Sequence, residues 1–337
     1  MAGRLTLPGF VNAHSHAFQR ALRGRTDGGD FWAWRESMLA LARGQTPKKV
    51  RDEYVTTFRE MRRAGYTAVG EFHYLGLEEA GAALDAAEEA GVAIVLLLSA
   101  YAQGGLDRFR QASVADYLGQ LESLRGRGAS VGVAPHSVRA CPPDWLEEIG
   151  RYAQDEGLVL HVHASEQPRE VEDCLAEHGV RPIELLARAG CLQARTTIVH
   201  ATHATEGELD LVADAGTRIC ICPTTEANLG DGFPPLAGML ERRIELCIGS
   251  DSNVRIDPLE ELRELEAIAR RQLLRRNVIS LDTLHGIGTK NGAAALGING
   301  GAEITVDLEH PSLAGVELSE VEAALIAGCG AEVFTES

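Results

Sequence analysis

The chain has 337 residues, 45% of them hydrophobic, which is enough for a large core in one big α/β domain or two ordinary ones. Charged residues make up 24%, which excludes a disordered composition. The formal net charge of −17 repels nucleic acid and anionic membranes, so neither is expected as a partner; an anionic small molecule stays open, because a pocket can carry its own arginines.

The predicted elements alternate along the chain. Strands are expected at 8–14, 66–73, 92–100, 130–136, 158–163, 196–201, 217–222 and 245–251. Helix-like stretches are expected at 49–64, 77–90, 113–126, 143–156, 168–189, 204–215, 234–242 and 257–275. Ser113, Thr205 and Asp257-Pro258 open helices, while Gly65, Gly91, Gly157 and Gly216 close them. Eight strand–helix units in succession predict a closed (β/α)₈ barrel of the TIM type. The competing open doubly wound sheet lacks its signature, since no GxGxxG follows the first strand. No basic-then-apolar leader opens the chain and no apolar run reaches about 18 residues, so a soluble, cytoplasmic protein is expected. Seven cysteines (141, 174, 191, 220, 222, 247, 329) show no CxxC pair, and reduced core thiols are expected.

In such a barrel the chemistry sits at the C-terminal strand ends. Seven of the eleven histidines fall there: His14, His16, His73, His136, His161, His163 and His200, with Asp251 closing the eighth strand. His14 and His16 share a strand face, so both imidazoles can grip one ion. His163 and Asp251 are the candidates to complete a metal site with room for a water.

At this point the chain resembles the amidohydrolase superfamily, and within it the formimidoylglutamate deiminases. The resemblance runs from about residue 7 to about 315, on "NAHSHAFQRALRG", "FWAWRE", "GEFHYLG", "HSVRA", "HVHASEQPREVEDC", "VHATH" and "GSDSN". It implies metal ligands His14, His16, His163 and Asp251. Binuclear members often bridge two ions with a lysine at the end of strand four. The only lysines here are Lys48, Lys49 and Lys290, none at a barrel strand end, so one divalent metal per chain is expected, zinc by default. Zinc lowers the pKa of a bound water to about 7. Asp251 would take a proton from that water. His200 would hydrogen-bond the attacking water or polarise the developing tetrahedral centre, and Glu166, at HxxE, would carry the proton to the departing nitrogen.

The resemblance also implies a small dicarboxylate-bearing substrate, N-formimino-L-glutamate, hydrolysed to N-formyl-L-glutamate and ammonia in histidine degradation. Arg35 and Arg139 would hold its carboxylates, with Gln19, Tyr74 and His136 around them. His73 and His161 are expected to support or pack. Arg20 finds no role beyond an ion pair. Trp32 and Trp34 are expected to pack a lid loop around Arg35, hinged at 26–30. The barrel is expected over 1–300, with 301–337 as a remnant of the family's β-sandwich, which is missing or rudimentary; the apolar surface so exposed suggests a homodimer. Ser252-Asn253 departs from the family's common Ser-His, which touches only a supporting contact. The competing readings are a deaminase of another formimino amino acid or a heterocycle, and a catalytically silent relative.

Overall fold

The computed structural model of the protein describes residues 3–26 and 28–335, so Asp27, in the middle of the expected hinge at 26–30, lies outside the described residues. The first predicted strand is two strands. β1 (Arg4–Pro8) and β2 (Phe10–Ser15) are separated by Gly9, where a Cβ would lie 2.3 Å from the Ala302 carbonyl oxygen and 2.4 Å from Thr67 Cγ2. Only glycine allows that approach, and it lets the chain leave one sheet and enter another. β2 starts a parallel sheet of eight strands in chain order, continuing with β3 (Tyr66–His73), β4 (Ala93–Ala100), β5 (Val131–Pro135), β6 (Leu160–Ala164), β7 (Thr196–His200), β8 (Arg218–Ile221) and β9 (Leu246–Ile248). These strands read as continuous apolar runs because helices cover their outer face and side chains fill the inside. Ala13, Val199, Cys220, Cys222, Cys247 and Ala295 form one buried cluster of small residues. All seven cysteines are free and buried.

The covering helices are α1 (Phe31–Arg43), α2 (Pro47–Arg63), α3 (Leu77–Ala90), α4 (Val114–Gly126), α5 (Pro143–Glu156), α6 (Pro168–His178), α7 (Pro182–Arg188), α8 (Glu206–Asp214), α9 (Pro223–Leu229), α10 (Leu236–Glu241), α11 (Pro258–Leu273), α12 (Leu281–Gly288), α13 (Lys290–Leu296) and α14 (Val321–Gly328). The helix expected over 168–189 is two, because Gly179 adopts a φ of 70° and Pro182 starts anew. The segment around Arg35, expected to be a loop, is α1: Asp30 accepts from the Ala33 amide at 3.0 Å as its cap, and Phe31, Met38, Leu39 and Ala42 form its buried stripe.

The barrel is nearly closed. Between β2 and β9 the seam is joined at the rim, where the Asp251 amide donates to the His14 carbonyl at 3.0 Å and the His16 amide donates to the Asp251 carbonyl at 2.8 Å. Below that bridge Asn12 reaches across, accepting from the Ser250 amide at 3.0 Å and donating to Ser250 Oγ at 2.6 Å. A separate three-stranded antiparallel sheet pairs β1 with β10 (Glu303–Asp307) and β10 with β11 (Phe334–Thr335). No β-sandwich is evident beyond it among the described residues. No helix is long and apolar enough to cross a membrane among those residues.

Candidate metal centre and active site

The strand geometry sends His14 and His16 to one face of β2, and β6 delivers His163 opposite. Asp251 follows β9 with a φ of 42°, a left-handed turn that aims its carboxylate back over the barrel mouth. The four meet. His163 Nε2 lies 3.1 Å from His14 Nε2 and 3.4 Å from His16 Nε2. Asp251 Oδ1 lies 3.4 Å from His14 Nε2 and 3.5 Å from His16 Nε2. Carbonyl oxygens fix the tautomers, since His16 Nδ1 donates to Phe72 O at 2.9 Å and His163 Nδ1 donates to His136 O at 3.0 Å. Both Nε2 atoms therefore present lone pairs to the same point. Burial keeps the imidazoles neutral: the His14 pKa falls to about 3, and those of His16 and His163 are lowered as well. Burial alone would raise the Asp251 carboxyl, but the hydrogen bond to His14 and the charge of His200 overcome it and hold the group ionised. Neutral nitrogens and a carboxylate crowded with lone pairs fit a divalent cation, and the set could hold one.

His200 ends β7 with a φ of 76°, a strained conformation for a residue with a side chain. Its Nδ1 donates to Glu226 Oε1 at 3.1 Å, while Nε2 lies 3.8 Å from Glu166 Oε1 and 3.9 Å from Asp251 Oδ2. Burial opposes its charge, yet the carboxylates of Glu166, Glu226 and Asp251 raise its pKa to about 10. Glu166 stands just past β6, its amide donating to Glu170 Oε2 at 3.0 Å and its Oε2 lying 3.8 Å from Arg139 Nη2. Burial raises the Glu166 carboxyl against the pull of His200 and Arg139.

One cleft is lined by His16, Gln19, Arg35, Tyr74, His136, Arg139, His163, Glu166, His200 and Asp251 together. His14 lies beneath it, fully buried. Gln19 Nε2 donates to Tyr74 Oη at 2.8 Å, and Gln19 Oε1 is buried without a partner. His136, its ring tilted 42° against that of Tyr101 at 4.5 Å between centroids, is held neutral by burial and by Arg139. His73 turns away, donating from Nε2 to Gly76 O at 3.0 Å, and His161 sits one layer down, bonded to Ala295 O at 2.9 Å. Arg20 pairs with Glu60 at 2.6 Å on the outer wall. Trp32 and Trp34 both pack on Phe31, at 5.2 and 5.8 Å between ring centroids.

Sequence reading missed four neighbours. Tyr101 and Gln103 also line the cleft, just past β4, and the strand-end rule that flagged the histidines would have flagged them. Glu226, in the first turn of α9, and buried Asp231, which accepts from Gln167, carried no motif. Nearby carboxylates around Glu166 are what distinguish them, and that is visible only in three dimensions.

Comparison with known proteins agrees with this geometry. The sequence profile described as the amidohydrolase family matches residues 5–303. A formimidoylglutamate deiminase of Pseudomonas aeruginosa is 36% identical over 88% of this chain and 73% of its own length. A 5-methylthioadenosine/S-adenosylhomocysteine deaminase of Haloarcula marismortui is 30% identical over 92% of this chain and 74% of its own. Among solved structures, an adenosine deaminase from Xanthomonas campestris with bound zinc superposes with a TM-score of 0.90 at 25% identity, covering 99% of this chain and 78% of that one. An amidohydrolase from Brucella melitensis superposes with a TM-score of 0.85 at 32% identity, covering 98% and 84%.

Proposed function

The chain belongs to the amidohydrolase family, and from that premise we propose that it hydrolyses N-formimino-L-glutamate to N-formyl-L-glutamate and ammonia, a step of histidine breakdown. The observation that carries the reading is the placement of two guanidinium groups, Arg35 and Arg139, in the same cleft as Glu166 and the three-histidine, one-aspartate cluster. A neutral heterocycle needs no pair of cations, whereas a glutamate moiety offers two carboxylates that guanidinium forks bind well.

His14, His16, His163 and Asp251 would hold the divalent cation, zinc in this reading, as in the zinc-containing structure to which the chain is similar. When bound, the cation supplies a water acidic enough to lose a proton near neutral pH. Arg35 and Arg139 anchor the carboxylates. Gln19 Oε1, the unpartnered acceptor, takes an N–H of the formimino group. Asp251 accepts the proton of the attacking water as its oxygen bonds to the formimino carbon, and His200 Nε2 donates toward the charge that develops there. Glu166, neutral at the start, protonates the imino nitrogen as water adds; its carboxylate then takes the proton of the new hydroxyl while the proton held by Asp251 passes to the same nitrogen, so the carbon–nitrogen bond breaks, ammonia leaves and a formyl carbonyl remains.

The test is ammonia release by the zinc-loaded protein from N-formimino-L-glutamate, set against deamination of S-adenosylhomocysteine. Release from the formimino substrate alone is expected, and Arg139→Lys should raise KM roughly tenfold by losing the planar fork. A kcat/KM for the adenosine compound equal to or above that for formiminoglutamate overturns the assignment.

A further inference from the structure

The Asp251 carboxylate faces two donor sets. Oδ1 looks toward His14 and His16, at 3.4 and 3.5 Å, the cage already described. Oδ2 looks the other way, to His200 Nε2 at 3.9 Å. On that side stands Cys222, just past β8, and one donor atom each from His200, Cys222 and Asp251 lie within 4.8 Å of one another, all three residues buried. We propose that these three residues form a second cation site, for a thiophilic divalent ion, joined to the first through Asp251 as a bridging carboxylate.

The chemistry of the donors supports this. Thiolate, imidazole and carboxylate together suit zinc and other soft divalent ions. Ions bridged by one carboxylate in two-metal sites sit about 3.5–4 Å apart, which the two faces of a single Asp251 side chain permit. Glu226 holds His200 Nδ1, leaving Nε2 for the ion, and a carboxylate behind a ligating imidazole strengthens it as a donor. Glu226 Oε2 is itself buried and without a partner. Three acids, Glu166, Glu226 and Asp231, all interact with His200, burial raising the carboxyls of Glu166 and Asp231. On binding, the Cys222 S–H bond is replaced by a sulfur–metal bond; the thiol proton, and the Nε2 proton where His200 is charged, pass to solvent. No electron is transferred.

The consequence is regulatory. An ion in this second position occupies His200 Nε2, so excess cation would inhibit, a corollary that rests on the role given to His200 above. The site itself is tested by binding, independently of any substrate. Protein loaded with one zinc per chain is titrated with cadmium ions, while bound metal, released protons and thiolate-to-cadmium absorption in the ultraviolet are followed. The wild type is expected to take up a second ion per chain together with the absorption band and proton release. Cys222→Ser is expected to stop at one ion with no band, its intact first site showing that it has folded. Should that variant not fold, anomalous diffraction from the cadmium-soaked wild type decides the matter, with the second ion expected between Asp251 Oδ2 and Cys222 Sγ. Saturation at one ion, a band that persists in Cys222→Ser, or a second ion located elsewhere each overturns the proposal, whatever the outcome of the deiminase assay.

Discussion

Glu166 stands between an imidazole that holds its proton and a guanidinium, 3.8 Å from His200 on one side and 3.8 Å from Arg139 on the other. Burial outweighs both partners and raises its carboxyl, so the acid form persists well above the ordinary carboxylate range. A general acid must start protonated, so the proposed reaction should slow as pH rises through that raised pKa. Glu166→Gln keeps the shape but cannot give a proton: kcat should fall roughly 10²–10⁴-fold with little change in KM, and the alkaline limb assigned to Glu166 should vanish from the pH–rate profile. An unchanged limb would assign the proton to another group. The residues of this kind that were legible in the sequence are those with a fixed local spacing: two histidines on one strand face, and a glutamate three places after a third. Glu226 and Cys222 belong to the same neighbourhood but become visible only when β7, β8 and β9 stand side by side.

At the scale of elements, periodicity found the eight barrel strands and the helices that follow most of them, left out α9, α12, α13 and α14, and misread three further places, each for a physical reason. Gly9 divides the first strand because another backbone passes too close for a side chain. α1 was hidden by its aromatic start, whose rings pack on each other and into the cleft wall. The expected 168–189 helix breaks because turn chemistry at Gly179 outweighs the apolar pattern running through it. The β2–β9 seam was also beyond reach of pattern, since it joins residues 12 and 250 through side chains. Asn253, the departure from the family's common histidine, takes part there: it donates to Ser15 Oγ at 3.2 Å and to Asp251 O at 2.9 Å, and accepts from Ser250 Oγ at 2.7 Å. The ends of this seam carry His14, His16 and Asp251, so its rigidity sets the ligand geometry. Asn12→Ala removes both buried hydrogen bonds to Ser250 and the weaker one to Met61 Sδ, and leaves the Ser250 amide without its acceptor. It should cost roughly 2–4 kcal/mol in urea unfolding and loosen cation binding at the same time. Loss of stability with undiminished cation affinity would show that the seam and the ligands are independent.

For the whole molecule, net charge and length bounded the class of protein, but they say nothing about which acids are inside. Glu71, on β3, is fully buried and accepts from the Ala17 amide at 2.8 Å. Burial raises its pKa from 4.5 to about 8 despite hydrogen bonds from Ala17, Ser15 and Tyr54. The sign follows from linkage. The folded state favours the neutral acid, so the unfolded chain releases this proton first, near 4.5, and the folded chain only near 8. The stabilising contribution is fully present below the lower value, declines across the window between them and is gone above the higher one, where the fold must carry a buried charge. Glu71→Gln replaces the acid by a neutral amide that does not titrate. Its melting temperature should therefore fall less than that of the wild type as the buffer is taken from about pH 6 to about pH 9. Other titrating groups act equally on both proteins, so the difference between the two curves isolates Glu71. Parallel curves would mean that Glu71 is ionised in the fold throughout, its charge met by the three donors around it.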